Sequence, residues 1–107
     1  MASTLPPGEV LSLESLVTPT AQGIASRVLA RTAAGNITLF AFDAGEELSE
    51  HTAPFDALVL TLTGALRLTI GGREVQTTPQ SIALMPANVP HAVRASVPSR
   101  ILLIMLR

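Results

Sequence analysis

Proline and glycine punctuate this sequence so densely that a long helix has little room to form. Eight prolines and seven glycines are spread over 107 residues. What lies between them is a series of short segments joined by tight turns. Several of these segments carry the two-residue alternation of a strand. Ile37 to Phe42 alternates in this way. In Ala57 to Thr63, Leu58, Leu60 and Leu62 fall on one face and Ala57, Val59, Thr61 and Thr63 on the other. Leu66, Leu68 and Ile70 alternate with Arg67 and Thr69. Gly71-Gly72 then marks a tight hairpin before Glu74 to Thr78 runs back.

The remaining segments extend the pattern. Arg27 to Thr32 and His91 to Ala95 read as strands, and Ile82 to Met85 as a short buried strand closed by Pro86. Glu9 to Val17 is read as a short strand in preference to a turn of helix. Gly45 opens a polar stretch that ends near Pro54. Ile101 to Leu106 is apolar on both faces, so both faces need cover. Roughly eight to ten short strands at spacings of about 8–12 residues predict an antiparallel sandwich or barrel. Residues 1–8 are expected to form a flexible tail and residues 9–107 a single domain.

Composition excludes several functions. The net charge is −1, all seven basic residues are arginines without a run, and there is no Trp or Tyr to stack on bases. Nucleic-acid binding is not expected. Cysteine is absent, which removes disulfides, thiolate chemistry and cysteine-type zinc sites. The most apolar run is six residues long, against roughly 20 for a membrane-spanning helix. The first residues lack the early positive charge and apolar stretch of a signal peptide, so a cytoplasmic location is expected. With 48% apolar residues the chain has the means to build a core without covalent staples.

The two histidines, His51 and His91, each stand where a loop meets a strand. His51 lies six residues after Gly45 and thirteen before Gly64, and His91 lies five after Pro86. This spacing resembles the two motifs of the cupin superfamily. The first motif lands on Gly45, His51 and Gly64, with Ala53 at its second histidine position and Ala57 at its glutamate position. The second lands on Pro86 and His91, with Gln80 at its leading glycine, Asn88 at its second glycine and Ala95 at its asparagine. Asn88 tolerates the left-handed backbone that such a glycine supplies. The likeness spans roughly residues 36 to 106. It implies an all-β fold, the cupin-type jelly-roll barrel or double-stranded β-helix.

The resemblance also locates a ligand pocket at the barrel mouth, around His51, Ala53, Ala57, Asn88 and His91. Metal-binding cupins resemble one another in using three histidines and a glutamate. Here His51 and His91 are the candidate metal ligands, for a divalent ion such as Fe, Mn, Ni or Zn. Neither two imidazoles alone nor a borrowed Asp56 or Glu47 makes a strong site. Strand alternation turns Asp56 away, and a turn-capping role suits it better. Glu46, Glu47 and Glu50 read as a solvated cluster. Met85, Phe40, Phe42, Phe55 and Met105 are candidates for the core more than for the pocket.

Three functions follow. The first is binding or sensing of a small, partly apolar molecule without catalysis, at a pocket from which charge has been removed. The second is a metal-dependent enzyme of the oxygenase or isomerase type. The third is a structural dimer serving a larger partner. Because the resemblance points Ala57 inward, Leu58, Leu60 and Leu62 face outward and need a cover, either another part of the chain or a second subunit. A homodimer is expected.

Overall fold

The computed structural model describes residues 4–107. Among these residues are nine antiparallel strands: β1 (Ile24–Thr32), β2 (Gly35–Phe42), β3 (Glu47–His51), β4 (Asp56–Thr63), β5 (Leu66–Ile70), β6 (Arg73–Gln76), β7 (Ile82–Met85), β8 (His91–Ala95) and β9 (Ser99–Leu106). They form a five-stranded sheet in the order β1-β2-β9-β4-β7 and a four-stranded sheet in the order β3-β8-β5-β6. Among the described residues no helix is long and apolar enough to cross a membrane.

The topology is one long hairpin, coiled. β5 pairs with β6, β4 with β7, β3 with β8 and β2 with β9. Successive pairs alternate between the two sheets. This nesting is the double-stranded β-helix. Its tip is the Gly71-Gly72 turn, where Ile70 pairs with Arg73 and both glycines have positive φ, 58° and 80°. A two-residue turn that matches strand twist demands that conformation at both positions. The coil closes where β9 pairs with β4 and β8 with β5.

Alternation along each strand decides what lies between the sheets. Ala57 and Val59 of β4, Leu66 and Leu68 of β5, Met85 of β7, Val93 and Ala95 of β8 and Ile101 of β9 form one buried cluster with Phe42. Phe40 packs against it, so these two phenylalanines belong to the core, as expected. Thr61 is buried among them and donates to Thr77 Oγ1 at 2.9 Å, which also accepts from the Leu66 amide at 3.0 Å. A second cluster, Leu16, Val17, Leu29, Leu39 and Ala41, includes outward-facing residues of the five-stranded sheet. There the segment before β1 brings Leu16 and Val17 onto the sheet, and Leu62 and Leu102 pack against the cluster.

Three expectations need correction. Glu9 to Val17 holds no strand; its only regular element is a 3₁₀ turn, Leu13–Ser15. Leu16 and Val17 anchor it by burial instead of by pairing. The polar stretch after Gly45 contains β3, whose Glu47 is opposite Arg94 and bonded to it at 3.0 Å. Finally, Ile82 to Met85 is a strand, but it sits at the sheet edge with Ile82 and Leu84 59% and 50% exposed. Within the stretch read as a tail, the Leu5 amide donates to Leu29 O at 2.8 Å.

Candidate ligand-binding site

One end of the barrel gathers the last residue of β3, the first of β8, the start of β4 and the ends of β7 and β9. There Leu48, His51, Ala53, Ala57, Met85, His91, Val93, Ile101, Leu103 and Met105 line a cavity of about 50 Å³. The wall is almost wholly apolar. The two imidazoles are its polar features.

His51 faces inward because β3 is bulged. Leu48 pairs with Val93 and His51 with His91, so three residues of β3 advance against two of β8. Three is an odd step, and simple alternation would set Leu48 and His51 on opposite faces. The extra residue restores His51 to the inner face. His91 is 3% exposed, whereas His51 sits at the solvent rim.

The two rings meet edge-on, with centroids 4.4 Å apart, and their Nε2 atoms lie 3.2 Å apart. Each Nδ1 faces a backbone carbonyl: Ser49 O at 2.8 Å from His51 and Val89 O at 3.2 Å from His91. A carbonyl only accepts, so each Nδ1 carries the hydrogen and donates it. With its hydrogen on Nδ1, a neutral ring at either position directs its Nε2 lone pair toward the other ring. Burial lowers the His91 pKa below 6.5. The bond to Val89 opposes that shift, and the neighbouring His51 adds to it. His91 is therefore held neutral near pH 7, an acceptor at Nε2.

The loops that carry the histidines are tied to each other. The Asn88 amide donates to Ala53 O at 2.7 Å, and the Ala87 amide donates to Asp56 Oδ1 at 2.8 Å. Asn88 adopts φ 63°, the left-handed backbone expected at its glycine-like position, and Gln80, at the other such position, adopts φ 68°. At Gly64 φ is 83°, and a Cβ there would run into Ser99 Oγ and Pro98 O. Only glycine fits.

Four of the five expected pocket residues, His51, Ala53, Ala57 and His91, line the cavity. Asn88 does not; it contributes its backbone shape and amide. Asp56 is turned away as expected, but it caps the loop of the second motif and not its own turn. Glu47 is engaged with Arg94 on the outer face. Among the described residues no group of three or more His, Cys, Asp or Glu side chains is placed to hold a metal ion.

Sequence reasoning did not foresee how the space beside Ala57 is filled. Ala57 pairs with Met85 on one side and Met105 on the other, and both side chains line the cavity. They occupy much of what the missing glutamate vacates. Asn36 was also not anticipated. Its Oδ1 is buried without a hydrogen-bond partner, and its register partner is Met105.

Comparison with known proteins agrees with this architecture. Residues 35–107 match the model of the AraC-like ligand binding domain. A conserved protein of unknown function from Streptococcus pyogenes is 30% identical; the alignment covers 96% of this chain and 90% of that one, with a TM-score of 0.89. A cupin superfamily protein from Desulfitobacterium hafniense is also 30% identical, over 95% and 94% of the two chains, with a TM-score of 0.87. A cupin 2 conserved barrel domain protein from Leptotrichia buccalis is 32% identical over 86% of this chain and 45% of its own, with a TM-score of 0.82. No curated protein matches the sequence.

Proposed function

The chain belongs to the AraC-like ligand binding domain family, within the cupin fold, and from that membership we propose that it is a small-molecule binding domain whose ligand enters between His51 and His91. The observation that carries this reading is the pair of Nε2 atoms 3.2 Å apart at the rim of an apolar cavity, with both Nδ1 atoms committed to carbonyls. Two converging acceptors call for a hydrogen-bond donor. A ligand with a hydroxyl or amide N–H group would place that group on the imidazoles. Its apolar part would lie against Met85, Met105, Leu103 and Ile101.

The cavity is small beside the roughly 300–1,000 Å³ of drug-sized pockets. It takes a few heavy atoms as it stands. Met85 and Met105 are unbranched and adaptable, so a slim aliphatic group can enter by displacing them. The exposed ring of His51 leaves the polar end of the ligand in reach of water.

A metal-dependent oxygenase or isomerase is the weaker reading. Two imidazoles 3.2 Å apart, each oriented by a carbonyl, resemble a pair of metal ligands with their supporting bonds. The donor set nevertheless stops at two. A catalytic zinc usually takes three protein ligands, and the common non-haem iron site takes two histidines and a carboxylate. Ala57 stands where the family carboxylate would be, while Asp56 and Glu47 are used elsewhere. The residues present do not fit a resident metal centre of those kinds.

Thermal unfolding separates the two readings. Small branched alcohols and primary amides are added to the wild-type protein and to the His51→Ala/His91→Ala double variant. A ligand at about 100 times its Kd stabilises by about 2.7 kcal/mol. Stabilisation of the wild type, lost in the double variant, is the expected result. If the probes leave the wild type unmoved, and incubation with Fe(II), Mn(II), Ni(II) or Zn(II) loads about one ion per chain through His51, the binding reading is wrong.

A further inference from the structure

The inward face of β2 turns polar at the end where the cavity lies. By the two-residue alternation of the strand, Asn36 and Thr38 share that face with Phe40 and Phe42 of the core. Register sets Asn36 beside Met105 and Thr38 beside Leu103, and both of these β9 residues line the histidine cavity. Thr38 is buried. Asn36 Oδ1 is buried too, and no described residue donates to it. Its register partner on the other side, Arg31, is exposed and leaves it unbonded. A buried carbonyl oxygen without a donor is rare in folded proteins and lowers stability. A leucine of similar size would avoid that loss. Asparagine is thus a poor residue for the fold alone, as residues that serve a ligand often are.

We propose that Asn36 is a second polar anchor for the ligand, and that the ligand is a short aliphatic molecule with a neutral hydrogen-bond donor at each end. One donor meets the imidazoles of His51 and His91. The other meets Asn36 Oδ1. Met105 stands between them. It lines the cavity, and it is the cross-strand neighbour of Asn36. Ala57, Met105 and Asn36 form one row on the consecutive strands β4, β9 and β2. A ligand that displaces the Met105 side chain therefore uncovers the Asn36 amide. One strand step, about 4.8 Å, is the length that the cavity gains.

The walls set the chemical class. Asn36 Oδ1 accepts only, and so does Nε2 of a neutral imidazole whose hydrogen is on Nδ1. Both ends of the ligand must therefore donate. Between them Leu103, Ile101, Met85 and Val93 are apolar, which asks for a hydrocarbon middle. Among the described residues no acidic side chain lines the cavity, so a buried ammonium would go unpaired and is disfavoured. Hydroxyl and amide groups remain. Terminal diols and ω-hydroxy amides have this form, whereas a simple alcohol satisfies the histidines and leaves Asn36 unbonded. The inference rests on the histidine reading of the cavity and adds a second contact to it.

NMR titration with matched pairs tests the proposal. Straight-chain alcohols from propanol to hexanol are compared with the terminal diols of the same length, on the wild type, on Asn36→Leu and on His51→Ala/His91→Ala. One diol is expected to bind the wild type about tenfold tighter than its alcohol. In Asn36→Leu that advantage should vanish while Tm rises by about 4 °C. The histidine variant should lose both ligands. Should Asn36→Leu not fold, Asn36→Ala replaces it, and the diol advantage should vanish there as well. Alcohols that bind through the histidines, with no gain from any diol, overturn the second anchor and leave the histidine reading standing. Absence of binding by either series overturns both. A folded leucine variant that keeps the diol advantage, or whose Tm falls below that of the wild type, also overturns the proposal.

Discussion

At the scale of single residues, His91 shows how burial fixes chemistry. Its ring is inside the barrel, its Nδ1 donates to Val89 O, and desolvation is the largest influence on its pKa, which falls below 6.5. In the unfolded chain the same imidazole takes a proton near pH 6.5. Between that value and the lower folded one, the unfolded state binds more protons, so stability rises with pH across the window. The contribution is complete above about pH 6.5 and is lost as pH falls through the folded value. Urea unfolding at half-unit steps from pH 7.5 to 5 should therefore show the wild type losing stability on acidification. His91→Gln, which cannot titrate, should give a flatter profile over the same steps. Equal slopes would mean that the ring is not held neutral. His51, at the solvent rim, is the neighbouring titratable ring, and His51→Gln serves as the control.

At the scale of elements, the site depends on two loops that hold each other. The loop before β4 supplies Ala53 O and the Asp56 carboxylate; the loop before β8 supplies the amides of Asn88 and Ala87. Asp56→Ala removes an ionised acceptor from the Ala87 amide. Because the bond is exposed, water replaces part of it, and the cost should be about 1 kcal/mol, below the usual range for hydrogen bonds to charged groups. The sharper readout is amide exchange: Ala87 should lose protection in Asp56→Ala and keep most of it in Asp56→Asn, which retains an acceptor oxygen. Unchanged protection in the alanine variant would show that the carboxylate does not hold the loop. Much of this end was legible in the sequence. The spacing of Gly45, His51 and Gly64, and of Pro86 and His91, was enough to bring two distant histidines to one pocket. The glycine-like place of Asn88 pointed to its left-handed backbone. What could not be read was register. The bulge that turns His51 inward and the pairing that sets Met85 and Met105 on either side of Ala57 are relations between strands. For the same reason β3 was hidden: its partner for Glu47 is Arg94, far along the chain, and its own residues look like a loop. Ile82 to Met85 misled in the other direction, since a short apolar run reads alike at a covered centre and an open edge.

For the whole molecule, the decisive asymmetry is that β2, β4 and β9 are apolar on both faces while the four-stranded sheet presents ion pairs on one. Such strands call for cover on both sides, and the barrel interior supplies only one. The chain answers part of the demand with the segment before β1. Its Leu16 and Val17 are buried against Leu39 and Ala41, Arg100 reaches Glu14 O at 3.4 Å, and the Leu5 amide is bonded to β1. A segment with no ladder of its own thus shields one half of the outer face through a few buried side chains. Its contribution to stability should be concentrated in them. Leu16→Ala should cost about 2 kcal/mol, the low end for a buried leucine because the cluster lies at the periphery. In a domain of this size that lowers Tm by on the order of 10 °C. Val10, fully exposed in the same segment, supplies the comparison: Val10→Ala should stay within about 0.5 kcal/mol of the wild type. Calorimetry of the three proteins at one concentration decides the matter. A large loss for Leu16→Ala with none for Val10→Ala identifies the segment as part of the fold, held by burial alone. If Leu16→Ala is silent, the apolar face of β2 and β9 is stable without this cover, and the argument that strands apolar on both sides require two layers fails for this protein.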